Sequence, residues 1–334
     1  MTAERIDTTR LQRLARAYCE TAVLYAAIDL DLFTHVSQGA NSVEKLANAM
    51  GIRRLQTERL VTTAVAMGLL ETDPPGLRNA PDAERFLVNG KPGYAADWLM
   101  FTRDDVPAWF DLTNTLREQE PPSMLGMYES LTVEQARRYH AATYSIGAGA
   151  GRRFARQVDM SARRRLLDLG GGSGAYSIEA VKAYPQLRAI VLDLPPVTEV
   201  TKEYVAAAGV GDRVGVLPGD FTKTAFPDDV DIAVMASNLP IYDEAVIGAV
   251  IARVHDALPP GGEFHLVGEM LEDDRSGPLD AALWGMNEAV CRSAGKAHTV
   301  GQCIGYFTAA GFVDIDDEAF IPGILHRVHG RKAG

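Results

Sequence analysis

The sequence predicts an α/β protein in two parts, an N-terminal, mainly α-helical winged-helix unit followed by a C-terminal doubly wound parallel sheet. Three observations predict it. Apolar residues recur at helical spacing through the first part of the chain and end in a strand-turn pattern. Beyond residue 158, apolar runs alternate with amphipathic stretches, the pattern of βαβ units around a parallel sheet. The first of those runs, Leu166-Leu167-Asp168-Leu169, enters a glycine turn and then a helical segment.

Over residues 10–35 the helical positions are Leu11, Leu14, Ala15, Tyr18, Ala22, Tyr25 and Ala26. Asn41-Ser42-Val43-Glu44-Lys45 reads as a cap opening a helix over 42–50 that stops at Gly51, and a second helix over 55–67 stops at Gly68. Leu69-Leu70-Glu71-Thr72 then predicts a short strand, and Pro74-Pro75-Gly76 a turn. Residues 95–117 are rich in aromatics (Trp98, Phe101, Trp109, Phe110), and 132–155 reads as one long helix. The expected domains are residues 1–105, a connecting set of helices over 106–157, and the sheet domain over 158–334.

The 334 residues, 47% hydrophobic and 23% charged, have globular composition and suffice for two domains of roughly 100 to 200 residues. The greasiest stretch, residues 22–33, is broken by Asp29 and Asp31, so no run approaches the roughly 18 residues a membrane helix needs. The first residues read as neither a signal nor a transit peptide, which makes the cytoplasm the expected location. With 33 Lys plus Arg against 44 Asp plus Glu, the formal charge is −11, which disfavours nucleic acid as a partner and a winged helix as a DNA reader. The second helix, which would be the reading helix, offers only Arg53, Arg54 and Arg59. Cys19, Cys291 and Cys303 lack CxxC spacing and read as reduced core thiols, and the seven histidines form no HxxxH or HxH set, so no metal is expected.

Chemistry concentrates after the first strand of the sheet. Gly170-Gly171-Gly172-Ser173-Gly174 lets backbone approach a ligand, and the helix over 175–183 presents free amides. The next strand ends in Asp193, about 20 residues on, where a carboxylate accepts ribose hydroxyls, with Leu194 behind it. A third ends in Gly219-Asp220-Phe221, an acceptor beside an aromatic face. Gly170-x-Gly172-x-x-Ala175 also satisfies the loose dinucleotide fingerprint, but Asp168 would face a pyrophosphate unfavourably, whereas it can accept bonds from a methionine ammonium. That points to S-adenosyl-L-methionine over a nicotinamide dinucleotide. A regulator that senses the same ligand on DNA is disfavoured by the acidic charge.

The ordered set DLGGGSG, LDLPPV, GDF and Leu258-Pro259-Pro260-Gly261-Gly262 resembles class I S-adenosylmethionine-dependent methyltransferases. Over nearly its whole length the chain is similar to the plant-type and polyketide-tailoring small-molecule O-methyltransferases. That resemblance implies a Rossmann-like methyltransferase sheet behind a winged-helix dimerisation domain, a homodimer, and a small-molecule acceptor. It implies a cofactor site of Asp168, Gly170, Gly172, Asp193, Leu194, Gly219, Asp220, Phe221, Ala236 and Ser237, with Arg138 matching a family arginine loosely. It also places Trp98, Phe101, Trp109, Tyr144, Asn238, Trp284 and Asn287 around a flat, largely apolar acceptor.

The pattern breaks at the base. Where the family has His-Asp-Trp, this chain reads Pro240-Ile241-Tyr242, and the family's orienting carboxylate aligns with Gln302. Proline accepts no proton, and a phenol with pKa near about 10 is mostly protonated at neutral pH, so loss of the base penalises O-methylation most. Orientation alone can still drive displacement on a sulfonium. Methylation at N or C is therefore expected ahead of O-methylation with a substitute base, and ahead of the hydroxylation, decarboxylation or pericyclic chemistry of some altered family members. The candidate substitute bases are Glu288, on the helix after Trp284, His140, and His298, which lies where the family has a rim arginine; Tyr242 joins the candidate catalytic set as a wall closing the pocket.

Overall fold

The computed structural model describes residues 6–73 and 76–334 and divides into two compact units, one running through Arg103 and one spanning Asp104–Gly334. Residues 1–5, read above for a leader, and Pro74 and Pro75 of the turn lie outside the described residues.

The first unit holds α1 (Thr9–Asp29), α2 (Leu32–Ser37), α3 (Val43–Met50), α4 (Arg54–Ala66), the antiparallel pair β1 (Leu70–Asp73) and β2 (Gly76–Asn79), then α5 (Pro81–Phe86) and α6 (Ala96–Phe101). The helical run expected over 10–35 is two helices, because Asp31 adopts φ +50° and turns the chain so that Leu32 and Phe33 enter the core. Ser42 caps α3, its hydroxyl accepting from the Lys45 amide at 3.3 Å, and Gly51 at φ +68° ends it. Cys19, expected in the core, is exposed on α1, whereas Cys303 is buried. Leu11, Leu14 and Tyr18 are 56%, 61% and 55% exposed along α1.

The second unit opens with α7 (Val106–Phe110), α8 (Leu112–Thr115) and the long α9 (Val133–Gln157). The aromatic-rich stretch forms short helices because a 3-10 turn over Thr102–Asp105 interrupts it. Thr132 and Gln135 make a reciprocal capping box that starts α9. The sheet strands are β3 (Arg165–Leu169), β4 (Arg188–Asp193), β5 (Val214–Pro218), β6 (Ile232–Ala236), β7 (Glu263–Gly268), β10 (Phe312–Ile321) and β11 (Leu325–Lys332). The short strands β8 (Met270–Leu271) and β9 (His298–Thr299) pair apart from it. The intervening helices are α10 (Ala175–Ala183), α11 (Pro195–Ala207), α12 (Glu244–Ala257), α13 (Leu279–Val290) and α14 (Val300–Ala310).

Among the described residues the main sheet runs β10-β11-β7-β6-β3-β4-β5, with β3 to β7 parallel and β10 and β11 antiparallel. Strand side chains alternate between two cores. Leu166, Val234 and Val267 pack with Phe154 of α9, Ile178 of α10 and Val205 of α11. Leu167, Met235 and Leu266 pack on the other face with Ile251 of α12 and Phe307 of α14. The chain steps from β3 outward to β5, then returns to β6 on the other side of β3. Their carboxyl ends therefore diverge and open the crevice that this topology uses for ligands.

Candidate active site

Gly170, Gly172 and Gly174 stand at φ +63°, +57° and +76°, the left-handed region that favours glycine. A Cβ on Gly170 would overlap Asn238 Nδ2, and one on Gly172 would stand 2.6 Å from His140 Cε1. The turn is thus a cradle walled by Asn238 and His140. Five bonds pin it. The Gly170 amide donates to the Leu192 carbonyl at 2.8 Å, and Asp193 accepts from the Gly172 amide at 2.8 Å and from the Leu194 amide at 2.7 Å. Thr201 Oγ1 donates to the Gly172 carbonyl at 2.6 Å, and Asn238 Nδ2 to the Leu169 carbonyl at 3.1 Å.

Asp168 lies beneath the turn rather than across it. Its carboxylate accepts from Ser177 Oγ at 2.7 Å, and a Cβ on Gly171 would stand 2.6 Å from its Cγ, so its first role is to support the loop. Burial pushes Asp168 and Asp193 up to about 6 each, even though both accept hydrogen bonds. At the end of β5, Gly219 makes room for Thr224, and Asp220 accepts from the Thr222 amide and hydroxyl at 2.9 and 2.6 Å and pairs with Lys223 at 3.1 Å. Burial opposes its ionisation, yet these donors hold Asp220 below the usual carboxylate range. Phe221 is buried between Gly170 and the Tyr242 ring, whose centroid lies 5.3 Å away. Ala236 ends β6, and Ser237 follows at φ +58°, donating its amide to Val267 at 2.9 Å. Asn238 Oδ1 is buried with no partner among the described residues.

Among the described residues Arg138 makes no hydrogen bond or ion pair; it is exposed on α9 rather than drawn to the turn. Tyr144 stacks on Tyr204 of α11 at 4.3 Å, a helix-packing contact in place of the expected acceptor wall. Trp98 and Phe101 stack on each other at 5.8 Å within the first unit; Trp109 and Trp284 are half-buried on α7 and α13.

Of the expected bases, two are committed elsewhere. Burial lowers His140 to about 4, so against Gly172 it is a neutral wall and a weak proton acceptor. Buried His298 uses both nitrogens, one on the Tyr242 carbonyl at 2.9 Å and the other on Tyr306 Oη at 3.0 Å, and so ties down the loop carrying buried Pro240. Gln302, in the orienter's place, caps α14 by accepting from the Thr299 amide at 2.9 Å. Glu288 is 2% exposed, and burial raises its pKa while Ser293 Oγ donates to it at 2.5 Å. Asn287 Nδ2 donates to Cys291 Sγ at 3.4 Å.

The structure adds residues that spacing did not suggest. Burial pushes Tyr139 of α9 up to about 12, with Glu269, Asp193, Glu288 and Cys291 adding to it, so its hydroxyl feels the charge of all four. Tyr242 is raised by burial, then by the charges of Asp193, Asp220 and Glu288. Tyr128 is raised by burial and by Tyr139, Cys291 and Glu288, and Met127 anchors its turn by donating to the Cys291 carbonyl at 3.1 Å. Glu269 follows the end of β7, half-buried, and burial pushes it up to about 7. A carboxylate directly past a buried strand at the switch-point edge is the signal that could have found it.

An O-methyltransferase domain matches residues 126–313 and an O-methyltransferase dimerisation domain residues 12–89. The chain belongs to the O-methyltransferase family. Among its relatives, a 3-hydroxy-5-methyl-1-naphthoate 3-O-methyltransferase of Streptomyces sahachiroi is 32% identical over 97% of this chain and 95% of its own length. The N,N-dimethyltransferase OxyT of Streptomyces rimosus is 28% identical over 90% of each. Human N-acetylserotonin methyltransferase, solved in complex with SAM, shares the fold with a TM-score of 0.83 at 22% identity over 100% of both chains.

In this methyltransferase the crevice fits S-adenosyl-L-methionine: a cradle that only glycine leaves open, a carboxylate at the end of β4, the Phe221 face, and an unfilled acceptor on Asn238. Replacing Gly172→Ala forces a left-handed alanine into His140, so stability should fall by about 1–2 kcal/mol and binding of S-adenosyl-L-methionine by about tenfold or more. Adding His140→Ala should recover only the steric part. Chemical denaturation and calorimetry check both.

Proposed function

We propose that this chain transfers the methyl group of S-adenosyl-L-methionine to a hydroxyl oxygen of a small, flat aromatic molecule. An N or C acceptor is expected only where no base is at hand. The observation that carries the O-methylation reading is the pair of interior carboxyls, Glu269 and Glu288, both raised by burial beside the loop that lacks the family's histidine. A carboxyl raised towards neutrality can take a phenol's proton at working pH. The 32% identical relative, an O-methyltransferase of a naphthoate, supports the same reading.

The cofactor supplies an electrophilic methyl on a sulfonium when bound. The chain's own residues supply position. The glycine cradle and Asp193 hold the nucleoside end, Phe221 and Tyr242 wall the crevice, and Tyr139 lies within the field of Asp193 and of the interior acids Glu269 and Glu288. Methylation of an amine is the second reading, favoured by the N,N-dimethyltransferase relative and by the ability of the same carboxylates to hold an ammonium.

Incubation with S-adenosyl-L-methionine and matched naphthols and naphthylamines, read by tandem mass spectrometry, should give S-adenosylhomocysteine and O-methyl product from the naphthols. Methylated amines with untouched naphthols would give the site to the second reading, and acceptor turnover without S-adenosylhomocysteine to non-methylating chemistry.

The dimerisation domain supports a homodimer, and the exposed apolar row Leu11, Leu14 and Tyr18 on α1 supplies a surface for it. Leu14→Asp should shift the mass measured by light scattering from dimer to monomer; an unchanged dimer removes α1 from the interface.

A further inference from the structure

The segment holding Pro240 leaves the acceptor hydroxyl's proton without the taker the family uses. Gly268, the last residue of β7, packs directly on that segment, since a Cβ there would stand 3.2 Å from Leu239 Cβ. Glu269 comes next. Along β7 the alternate positions His265 and Val267 face α9: the His265 ring meets Phe154 edge-on at 5.4 Å, and Val267 joins the core under α9 and α10. Glu269 continues that face past the strand end, and its charge reaches Tyr139 of α9 and Tyr176 of α10. Ala236, the end of β6, pairs with Val267, which sets Glu269 two residues past that pair at the carboxyl edge of the sheet, one strand over from the crevice between β3 and β6.

The other proton acceptors here are engaged. His140 is pressed on Gly172, His298 is bonded at both nitrogens, and Glu288 is tied to Ser293. The Glu269 carboxylate accepts from its own backbone amide, which favours its ionised form, while the Asp280 carboxylate of α13 opposes it; among the described residues no Lys or Arg pairs with it.

We propose that Glu269 takes the proton of the acceptor hydroxyl in place of the family's histidine, an inference that rests on the O-methylation reading above. The O–H bond breaks and its proton moves to the Glu269 carboxylate. The oxygen pair forms the C–O bond to the methyl carbon while the C–S bond breaks, and sulfur keeps that pair as a neutral thioether. A carboxyl that burial pushes up to about 7 is matched to this transfer.

The test compares wild type, Glu269→Gln, Glu269→Asp and Glu288→Gln on an ordinary naphthol and on a nitronaphthol already ionised near neutral pH. With Glu269→Gln, kcat/KM for the ordinary naphthol should fall by about 10²–10³-fold and that for the nitronaphthol by less than about tenfold, with Glu269→Asp between them. Binding of S-adenosyl-L-methionine by calorimetry should stay within about twofold. A readout independent of turnover is stability against pH. The folded value lies above the ordinary 4.5, so wild type should gain melting temperature relative to Glu269→Gln as pH falls from about 7 towards 4.5. Equal losses on both acceptors, weakened cofactor binding with kcat retained, a flat stability difference, or the acceptor-dependent loss appearing in Glu288→Gln would each overturn the assignment. Failure of the O-methylation reading is seen separately, as absence of O-methyl product from wild type.

Discussion

The Asp193 carboxylate accepting from the Gly172 amide ties the end of β4 to the turn that leaves β3, and the geometry of the crevice follows from that bond and its neighbours. Gly172 is held from above by His140 and through its carbonyl by Thr201, while Asn238 reaches back from β6 to the carbonyl of Leu169. Three strand ends are thereby fixed to one another through a turn whose glycines have no side chain to fill the space. The left-handed backbone at Gly170 and Gly172 costs little with glycine and would cost more with any other residue. That freedom is what keeps the cradle open.

Electrostatics give this cradle its second character. Asp168, Asp193, Glu269 and Glu288 have no lysine or arginine within ion-pairing distance among the described residues, and burial raises all of them. Leaving a buried carboxylate unpaired is costly, so burial holds each of these groups above its ordinary value. A sulfonium-bearing donor supplies a cation to the carboxyls at the cofactor end, Asp168 and Asp193, and binding it draws those two towards their ionised forms. The same low-dielectric setting that strengthens the attraction also keeps a carboxyl poised to receive a proton.

The cofactor half of the site was legible because its residues are local. Each strand from β3 to β7 is a short apolar run bounded by Gly, Pro or Asp, and the glycine turn, Asp193 and Phe221 fall directly at strand ends. The helix break at Asp31 was not legible, because its left-handed backbone is imposed by the burial of Leu32 and Phe33. The acceptor half was legible only in part. Tyr128, Tyr139, Glu269 and Glu288 come from a 3-10 turn, α9, the end of β7 and α13, and only the fold brings them near one another. His298 was not legible as a structural group for a related reason. A histidine bonded at both nitrogens is satisfied, and that satisfaction depends on Tyr242 and Tyr306 rather than on sequence position.

The central claim is that an interior carboxylate, rather than solvent, takes the acceptor's proton. The pH dependence of kcat/KM for a series of naphthols of graded acidity tests it most directly. The account predicts a rising limb with an apparent pKa near 7 that stays in place across the series, because it belongs to Glu269. A limb that instead tracks each naphthol's own acidity would mean that the acceptor ionises before it binds, and would contradict it.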